Sequence, residues 1–186
     1  VWLNAGTRLT YPIAFVGKER RVRLDGEGYF EVERDESKPF IVEINGMEVK
    51  VLGTSFNLRS FAADNRSTAT LVSGKIEVKT PTQRIEQADL LVGENKLAVR
   101  EVDAVAYSAW TKGRFVFRRE RLETILDDVS RWYNVTVFYE QSRVKDILFS
   151  GIVERYADIS ETLEMLEKTG KVNFIVDEQK IIVRAK

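Results

Sequence analysis

Turn-forming residues divide the first half of the chain into short segments, and this spacing constrains the fold more than any other feature. As far as residue 105, alternating apolar and polar positions are interrupted by Gly, Asn or Pro about every 8 to 12 residues, which is typical of antiparallel β structure. The clearest case is Asn45-Gly46, which separates the alternating segments IVEI and MEVKVL. Both residues accept the positive φ angles of a type I′ turn, so a β-hairpin is predicted over 41–52.

The same pattern predicts several other strands in this half. They lie at 21–24, 28–33, 55–60, 69–72, 75–79 and about 97–102. A turn at Asp25-Gly26 is expected to separate the first two, and further turns are expected at 64–65, 73–74 and 93–94. Residues 1–105 are therefore predicted to form a mainly β, antiparallel domain.

The pattern changes after a short apolar connector at 104–112, and we expect a second domain over 106–186. Apolar residues recur at helical spacing over 122–132 and again over 159–166, with predicted strands on either side of each helix. Asp158 and Gly170 match the usual start and end signals of the second helix. The order strand-helix-strand occurs twice and a last strand follows, so a small α+β domain of two β-α-β units sharing one sheet is predicted.

Composition excludes several kinds of chemistry. Lys and Arg number 29, as do Asp and Glu, so the formal net charge is zero and a nucleic-acid partner is not expected. Histidine and cysteine are both absent, which removes disulfides, thiolate nucleophiles and every Ser-His or Cys-His pair. No loop has the acidic spacing of a calcium site, so we expect neither a metal nor a cofactor.

The ends of the sequence suggest a piece of a longer protein. No apolar run approaches the ~18 residues of a membrane span, and the first residues do not form a signal peptide. The chain begins at Val1 in what is already predicted to be a strand. We therefore expect a soluble fragment, with any membrane anchor in a preceding segment.

Two groups of residues are candidates for function on chemical grounds. Glu31 and Glu33 lie two apart on a predicted strand, so they share a face and resemble an acid/base pair, although a solvated strand face is the commoner reason for such a pattern. Aromatic residues of the second half offer either a sugar-stacking surface or core packing. Trp132 continues the helix stripe and is expected to be buried, whereas Tyr133, rotated by roughly 100°, is expected to face an edge or a partner.

Several strings taken together resemble a known family. They are VWLNAGTRLTYP from Val1, LDGEGYFEV from Leu24, KPFIVEI from Lys38, VLGTSFNLRSF from Val51, TLVSGKIEV from Thr70 and AWTKGRFVF from Ala109. In this order and spacing they resemble the FecR family of anti-sigma regulators, and RWYNVTVFY from Arg131 is similar to its Bacteroidetes branch.

The resemblance implies a fold and a role. It implies a sandwich- or solenoid-like FecR domain, then a domain similar to the short N-terminal signalling fold of secretins and TonB-dependent receptors. Proteins of this family are single-pass inner-membrane regulators: a cytoplasmic part holds an extracytoplasmic-function sigma factor, and a periplasmic part receives a signal from a TonB-dependent outer-membrane receptor. Only the periplasmic part is matched, so the sigma factor and the membrane would be contacted through segments that this sequence lacks.

The family signature falls on residues that are expected to be structural rather than catalytic. By position they are Asn4, Gly6, Tyr11, Pro12, Gly26, Glu27, Phe30, Val32, Pro39, Phe40, Gly53, Thr54, Phe56, Asn57, Gly74, Trp110, Trp132 and Tyr133. Asn4 and Asn57 are expected to bond loop backbone in the manner of Asx turns.

The sequence therefore leads to one main functional hypothesis and two alternatives. We expect a non-enzymatic, periplasmic module that binds the N-terminal signalling domain of a TonB-dependent receptor. The expected partner-binding residues are Tyr133, Tyr139, Phe149, Ile152 and Tyr156. The alternatives are a carbohydrate-binding β module, and a hydrolase that uses Glu31 or Glu33.

Overall fold

Alternation of apolar and polar residues gives mostly β structure, as a computed structural model shows. The structure describes residues 1–61, 66–80, 84–86, 90–93, 96–99 and 102–186. The chain separates into two compact units, which we call unit 1 (Val1–Thr111) and unit 2 (Lys112–Lys186).

Unit 1 consists of short strands followed by a helical connector. In its described part the strands are β1 (Trp2–Leu3), β2 (Arg8–Thr10), β3 (Arg20–Glu31), β4 (Phe40–Ile44), β5 (Met47–Val51), β6 (Ser55–Ser60), β7 (Arg66–Ser73), β8 (Ile76–Lys79), β9 (Arg84–Glu86), β10 (Leu90–Gly93) and β11 (Lys96–Val99). Helix α1 (Ala104–Ser108) and a 3₁₀ turn (Ala109–Lys112) follow. The predicted strands are confirmed, but β2, β9 and β10 were missed. The turn predicted at 64–65, residue 94 and positions 100–101 lie outside the described residues.

The strands of unit 1 form one nearly closed sheet in the order β11-β10-β7-β6-β3-β4-β5-β8-β9, with β1 and β2 also paired to β3. β3 pairs in parallel with β4, and the other neighbours are antiparallel. Side chains from both halves of the sheet meet in a single core. Its fully buried members include Phe30, Val42, Val49, Phe56 and Val78.

The hairpin predicted at Asn45-Gly46 is confirmed. Asn45 has a φ of 43° and Gly46 a φ of 77°, and Ile44 pairs with Met47 across the two-residue turn. Positive φ at both central positions is what a type I′ turn needs, and Asn-Gly supplies it at low cost.

The turn predicted at Asp25-Gly26 is wrong. β3 runs through these residues as a continuous strand, and Gly26, with a φ of 120°, bends it rather than reversing it. Residues 20–24 pair with β4, and residues 26–31 pair with β6, so the bend moves β3 from one half of the sheet to the other. A Cβ atom on Gly26 would lie 2.5 Å from Thr7 Oγ1 and 2.8 Å from Thr7 Cα, so glycine also permits this close approach.

We predict that Gly26→Ala destabilises the protein by at least about 2 kcal/mol, because strain at positive φ adds to a backbone clash with Thr7. Gly46→Ala is the matched control, since its φ is also positive but a Cβ there meets nothing within 4 Å. It should cost only about 1 kcal/mol. Urea unfolding measures both, and equal losses would contradict the argument.

An exposed ion cluster on unit 1 is expected to make stability depend on pH. Arg21 Nη1 lies 2.6 Å from Glu43 Oε1 and 2.6 Å from Glu48 Oε1, and its Nη2 lies 3.0 Å from Glu19 Oε2. The hydrogen bond from Arg21 lowers the pKa of Glu48 below its ordinary 4.5. A lowered pKa stabilises the folded state above the unfolded value, and this contribution is lost as the pH falls.

We therefore predict that the stability difference between the natural chain and Glu48→Gln is full above pH 4.5 and shrinks as the pH falls below it. Urea unfolding from pH 7 to pH 3 measures this difference. Glu33→Gln controls for loss of one exposed negative charge away from Arg21. A difference that grows on acidification would contradict the assignment.

Unit 2 alternates strands and helices. Its elements are β12 (Arg114–Arg121), α2 (Leu122–Tyr133), β13 (Thr136–Tyr139), a 3₁₀ turn (Ser142–Asp146), β14 (Leu148–Glu154), α3 (Ile159–Glu167), β15 (Val172–Asp177) and β16 (Lys180–Ala185). The predicted helix start is confirmed, since the Asp158 carboxylate accepts a bond from the Ser160 amide at 2.9 Å. None of the helices in the described ranges is long and apolar enough to cross a membrane.

The expectation that one sheet is shared in this half is wrong. β12 pairs antiparallel with β14, and a separate sheet has the order β13-β16-β15, in which β13 and β16 are parallel. Each helix contacts a strand of each sheet, and both sheets contribute to one core. The physical reason is the apolar stripe of α2, whose Leu122, Ile125, Leu126 and Val129 are all fully buried. This stripe packs into the core to which both sheets contribute.

Candidate functional site

The five residues predicted to bind a partner all lie in unit 2, but only two of them are exposed. Tyr156 is 79% exposed and Ile152 is 66% exposed, whereas Phe149 is 3% exposed and belongs to the core. Tyr133 and Tyr139 are half-buried against the same core. The structure thus brings Ile152 and Tyr156 to the surface and places the other three largely inside.

Side chains along β14 alternate between core and surface, so Phe149 and Ile152 face opposite ways. Phe149 and Val153 point into the core, and Leu148 and Ile152 point outward. Val116 of β12 lies directly opposite Ile152 in the antiparallel register, and it is half-buried. Side chains directly opposite in such a pair share a face. Leu148 and Ile152 are therefore exposed on the outward face of β14, next to the half-buried Val116, and Tyr156 is exposed two residues after the strand. We call these four residues the β14 surface.

A buried arginine supports the segment that follows β14. Arg155 is 3% exposed, and its guanidinium carbon lies 3.8 Å from the centre of the Trp132 ring and 4.9 Å from that of Phe115. Its carbonyl accepts a 2.6 Å hydrogen bond from Trp132 Nε1. Two of the aromatic residues, Trp132 and Phe115, therefore pack against an internal cation.

Tyr133 is also turned toward this segment. Its hydroxyl lies 2.8 Å from the carbonyl oxygen of Ala157 and 3.2 Å from that of Arg155. Burial raises the pKa of Tyr133, so the hydroxyl stays protonated and able to donate. Tyr133 holds the backbone on both sides of Tyr156 rather than facing outward.

Tyr156 itself is exposed but has a defined contact. Its ring meets that of Trp132 edge-on, with 5.7 Å between the ring centres. A Cβ atom at Gly113 would lie 2.5 Å from Tyr156 Cε2, so the ring covers a position that only glycine leaves open. Glycine at 113 and the edge of Trp132 therefore orient Tyr156.

Tyr139 is held inside unit 2. Its hydroxyl is buried without a hydrogen-bond partner among the described residues, and burial raises its pKa. Lys145 Nζ lies 4.9 Å from the centre of its ring. These contacts are those of a packing residue.

A buried polar network in unit 1 was missed by the sequence analysis. The carboxylate of Glu27, a residue 5% exposed in the middle of β3, accepts hydrogen bonds from Asn4 Nδ2 at 2.7 Å and from Asn57 Nδ2 at 2.9 Å. Arg59 Nη1 lies 3.3 Å from the same carboxylate. Trp110 Nε1 donates to Asn57 Oδ1 at 3.1 Å.

The network joins four of the residues that the resemblance singled out. Asn4, Glu27, Asn57 and Trp110 were expected to have separate structural roles. Asn4 does bond the neighbouring Ala5 amide, but the expectation that Asn57 bonds loop backbone is wrong, since its side chain bonds Glu27 and Trp110. The one feature of the sequence that could have indicated the network is Glu27 itself, an acidic residue between two glycines inside a strand.

Glu31 and Glu33, in contrast to Glu27, are not buried. Both are exposed, at the end of β3 and just beyond it. Among the residues that the structure describes, no three acidic side chains lie close enough together to hold a metal ion. Neither glutamate is therefore part of an enclosed site.

We predict that Glu27→Gln destabilises the protein by roughly 3 kcal/mol, because an amide nitrogen would face donors of Asn4, Asn57 or Arg59. Glu31→Gln removes the same charge from an exposed position of the same strand and should change stability by less than about 0.5 kcal/mol. Urea unfolding of both variants tests this. Equal stability of the two variants would show that the network contributes little.

The comparisons with known proteins cover both units. The family model described as FecR protein matches residues 1–77, and the one described as FecR, C-terminal matches residues 114–183. Two crystal structures from Parabacteroides distasonis ATCC 8503, at 1.65 Å and 2.50 Å resolution and assigned in their descriptions to anti-sigma factors, are 28% identical to this chain with a TM-score of 0.91. The match covers 99% of this chain and 89% and 88% of theirs.

No curated protein matches the sequence. The two family models nevertheless match separate parts of the chain in the expected order, and the structural match extends over nearly all of it. The chain belongs to the FecR family of anti-sigma factors.

Proposed function

We propose that this chain is the periplasmic signal-receiving region of a membrane-anchored anti-sigma factor, and that unit 2 binds the N-terminal signalling domain of a TonB-dependent receptor. Anti-sigma factors are regulators rather than typical enzymes. In this proposal a separate cytoplasmic segment of the full protein binds the sigma factor, and binding of the receptor domain to unit 2 changes how tightly the sigma factor is bound. Of the two predicted domains, the β domain over 1–105 and the α+β domain over 106–186, the second would recognise the receptor.

The observation that carries the proposal is the β14 surface. Ile152 and Tyr156 are exposed by 66% and 79%, and Leu148 by 39%, within one strand and the two residues after it. Single exposed apolar residues are ordinary, but three large ones within one short segment, two of them on the same face of a strand, are typical of an interaction site. The orientation of Tyr156 by Gly113 and Trp132 adds a preformed aromatic contact, and aromatic residues are common binding hot spots.

The backbone of the same sheet is suited to binding by addition of a strand at its edge. In the described part of the chain β14 pairs only with β12, so each strand of this two-stranded sheet keeps one edge without a paired strand. An edge strand can accept an extended segment of another protein through main-chain hydrogen bonds. Outward residues of β14 would then select apolar side chains on the added strand or next to it.

Calorimetry with the signalling domain of the receptor encoded beside this protein tests the proposal. We expect Ile152→Ser and Tyr156→Ala each to weaken binding about tenfold or more, the effect of losing a hot-spot contact. Phe138→Ser, at a residue 50% exposed on the other sheet of unit 2, is the matched control and should leave the affinity within about twofold.

Circular dichroism would confirm that all variants are folded. Unchanged binding by the Ile152 and Tyr156 variants would contradict the site, and no binding by the folded natural chain would contradict the function. Binding of a glycan that is lost with Tyr156→Ala would favour the carbohydrate-binding alternative instead.

A further inference from the structure

A second feature, in unit 1, is unrelated to the β14 surface. A cavity of about 460 Å³ opens beside β2 and β3, and its lining includes Arg8, Thr10, Arg23, Asp25 and Asn45. This volume falls within the roughly 300–1,000 Å³ of pockets that bind small molecules. The lining presents polar and apolar surface in about equal parts, and its charged residues in the described part of the chain are two arginines and one aspartate.

Strand register brings these side chains together. Arg8 lies opposite Asp25, and Thr10 lies opposite Arg23, in the antiparallel pair of β2 and β3. Directly opposite residues share a face, and so do residues two apart on one strand. Leu24, between Arg23 and Asp25, points into the core, so the four polar side chains point away from it. Asn45 reaches the same cavity from the tip of the hairpin between β4 and β5.

Neither guanidinium in the cavity has an internal bonding partner among the described residues. Arg8 and Arg23 form no hydrogen bond and no ion pair with any residue in the described ranges. Arg21, two residues before Arg23 on the same face of β3, behaves differently, since it contacts three carboxylates. Glu43 lies opposite Arg23 in the parallel register, yet its carboxylate bonds Arg21. Glu43 is thus used by Arg21, and of the residues that the structure describes Asp25 is the one carboxylate that lines the cavity beside the two guanidiniums.

The chemistry of the lining selects a class of ligand. A guanidinium binds the oxygens of a carboxylate or phosphate in a bidentate manner. Asp25 accepts hydrogen bonds, and Thr10 and Asn45 both donate and accept, so these three suit hydroxyl groups. Two arginines against one aspartate leave the charged part of the lining with one net positive charge. We propose that this cavity binds a small hydroxylated acid, with its oxyanion between Arg8 and Arg23.

Calorimetric titration of the whole chain in 0.15 M salt tests the proposal with three probes: sodium glucuronate, inorganic phosphate and glucose. We expect glucuronate to bind more tightly than phosphate, and glucose not to bind at the same concentration. Arg8→Gln and Arg23→Gln should each weaken glucuronate binding about tenfold or more, as expected for a lost charge-assisted hydrogen bond. Both side chains are exposed and make no internal bond, so the variants should fold normally.

Lys18→Gln is the matched control, because Lys18 is an exposed cation of the same unit that does not line the cavity. The affinity of the Lys18→Gln variant for glucuronate should stay within about twofold of that of the natural chain. Equal losses in Lys18→Gln and Arg23→Gln would overturn the site, because they would reflect net charge alone. Absence of glucuronate binding, binding unaffected by the arginine variants, or tighter binding of phosphate would each overturn the proposal.

Discussion

The buried carboxylate of Glu27 is the interaction on which much of unit 1 depends. A charge removed from water is costly unless several donors replace its hydration. Here the donors include Asn4, next to β1, and Asn57 and Arg59 on β6. Trp110, near the end of unit 1, is bonded in turn to Asn57. The first residues of the chain, the central strand and the last residues of unit 1 are thereby tied to one charged group, so the network favours a single arrangement of these segments.

The bend in β3 is adjacent to this charge, and the two features act together. Gly26 lets β3 pass from its pairing with β4 to its pairing with β6, and Glu27 then lies between β1 and β6. Thr7 approaches the same point, where its hydroxyl accepts from the Glu27 amide at 2.9 Å. The bend brings the surrounding strands close, and the polar network satisfies the groups that this closeness buries.

Sequence reasoning succeeded where the signal was local and failed where partners were distant along the chain. The Asn45-Gly46 hairpin and the stripe of α2 depend on residues within one element, and both were predictable. The Glu27 network joins residues 23, 30 and 53 positions apart, and the pairing of β12 with β14 spans a helix and another strand. Once β14 was predicted as a strand, the alternation of its side chains was enough to place Phe149 in the core and Ile152 on the surface. The inward orientation of Tyr133 could not be predicted in this way, because its hydroxyl bonds backbone that follows β14.

The interior of unit 2 orients Tyr156, the exposed aromatic residue to which we assign a contact in the proposed recognition. The stack of Arg155 on Trp132 and the bond from Trp132 Nε1 fix the backbone at residue 155, and the hydroxyl of Tyr133 fixes it at residue 157. Between these two points Tyr156 has little freedom left, and its ring is restricted further by the edge of Trp132. Immobilising a free side chain on binding costs roughly 0.5–1.5 kcal/mol, and a side chain that is already oriented avoids most of that cost. Tyr133, which was predicted to contact a partner directly, therefore contributes indirectly: together with the half-buried Trp132 it keeps one exposed ring in a defined orientation.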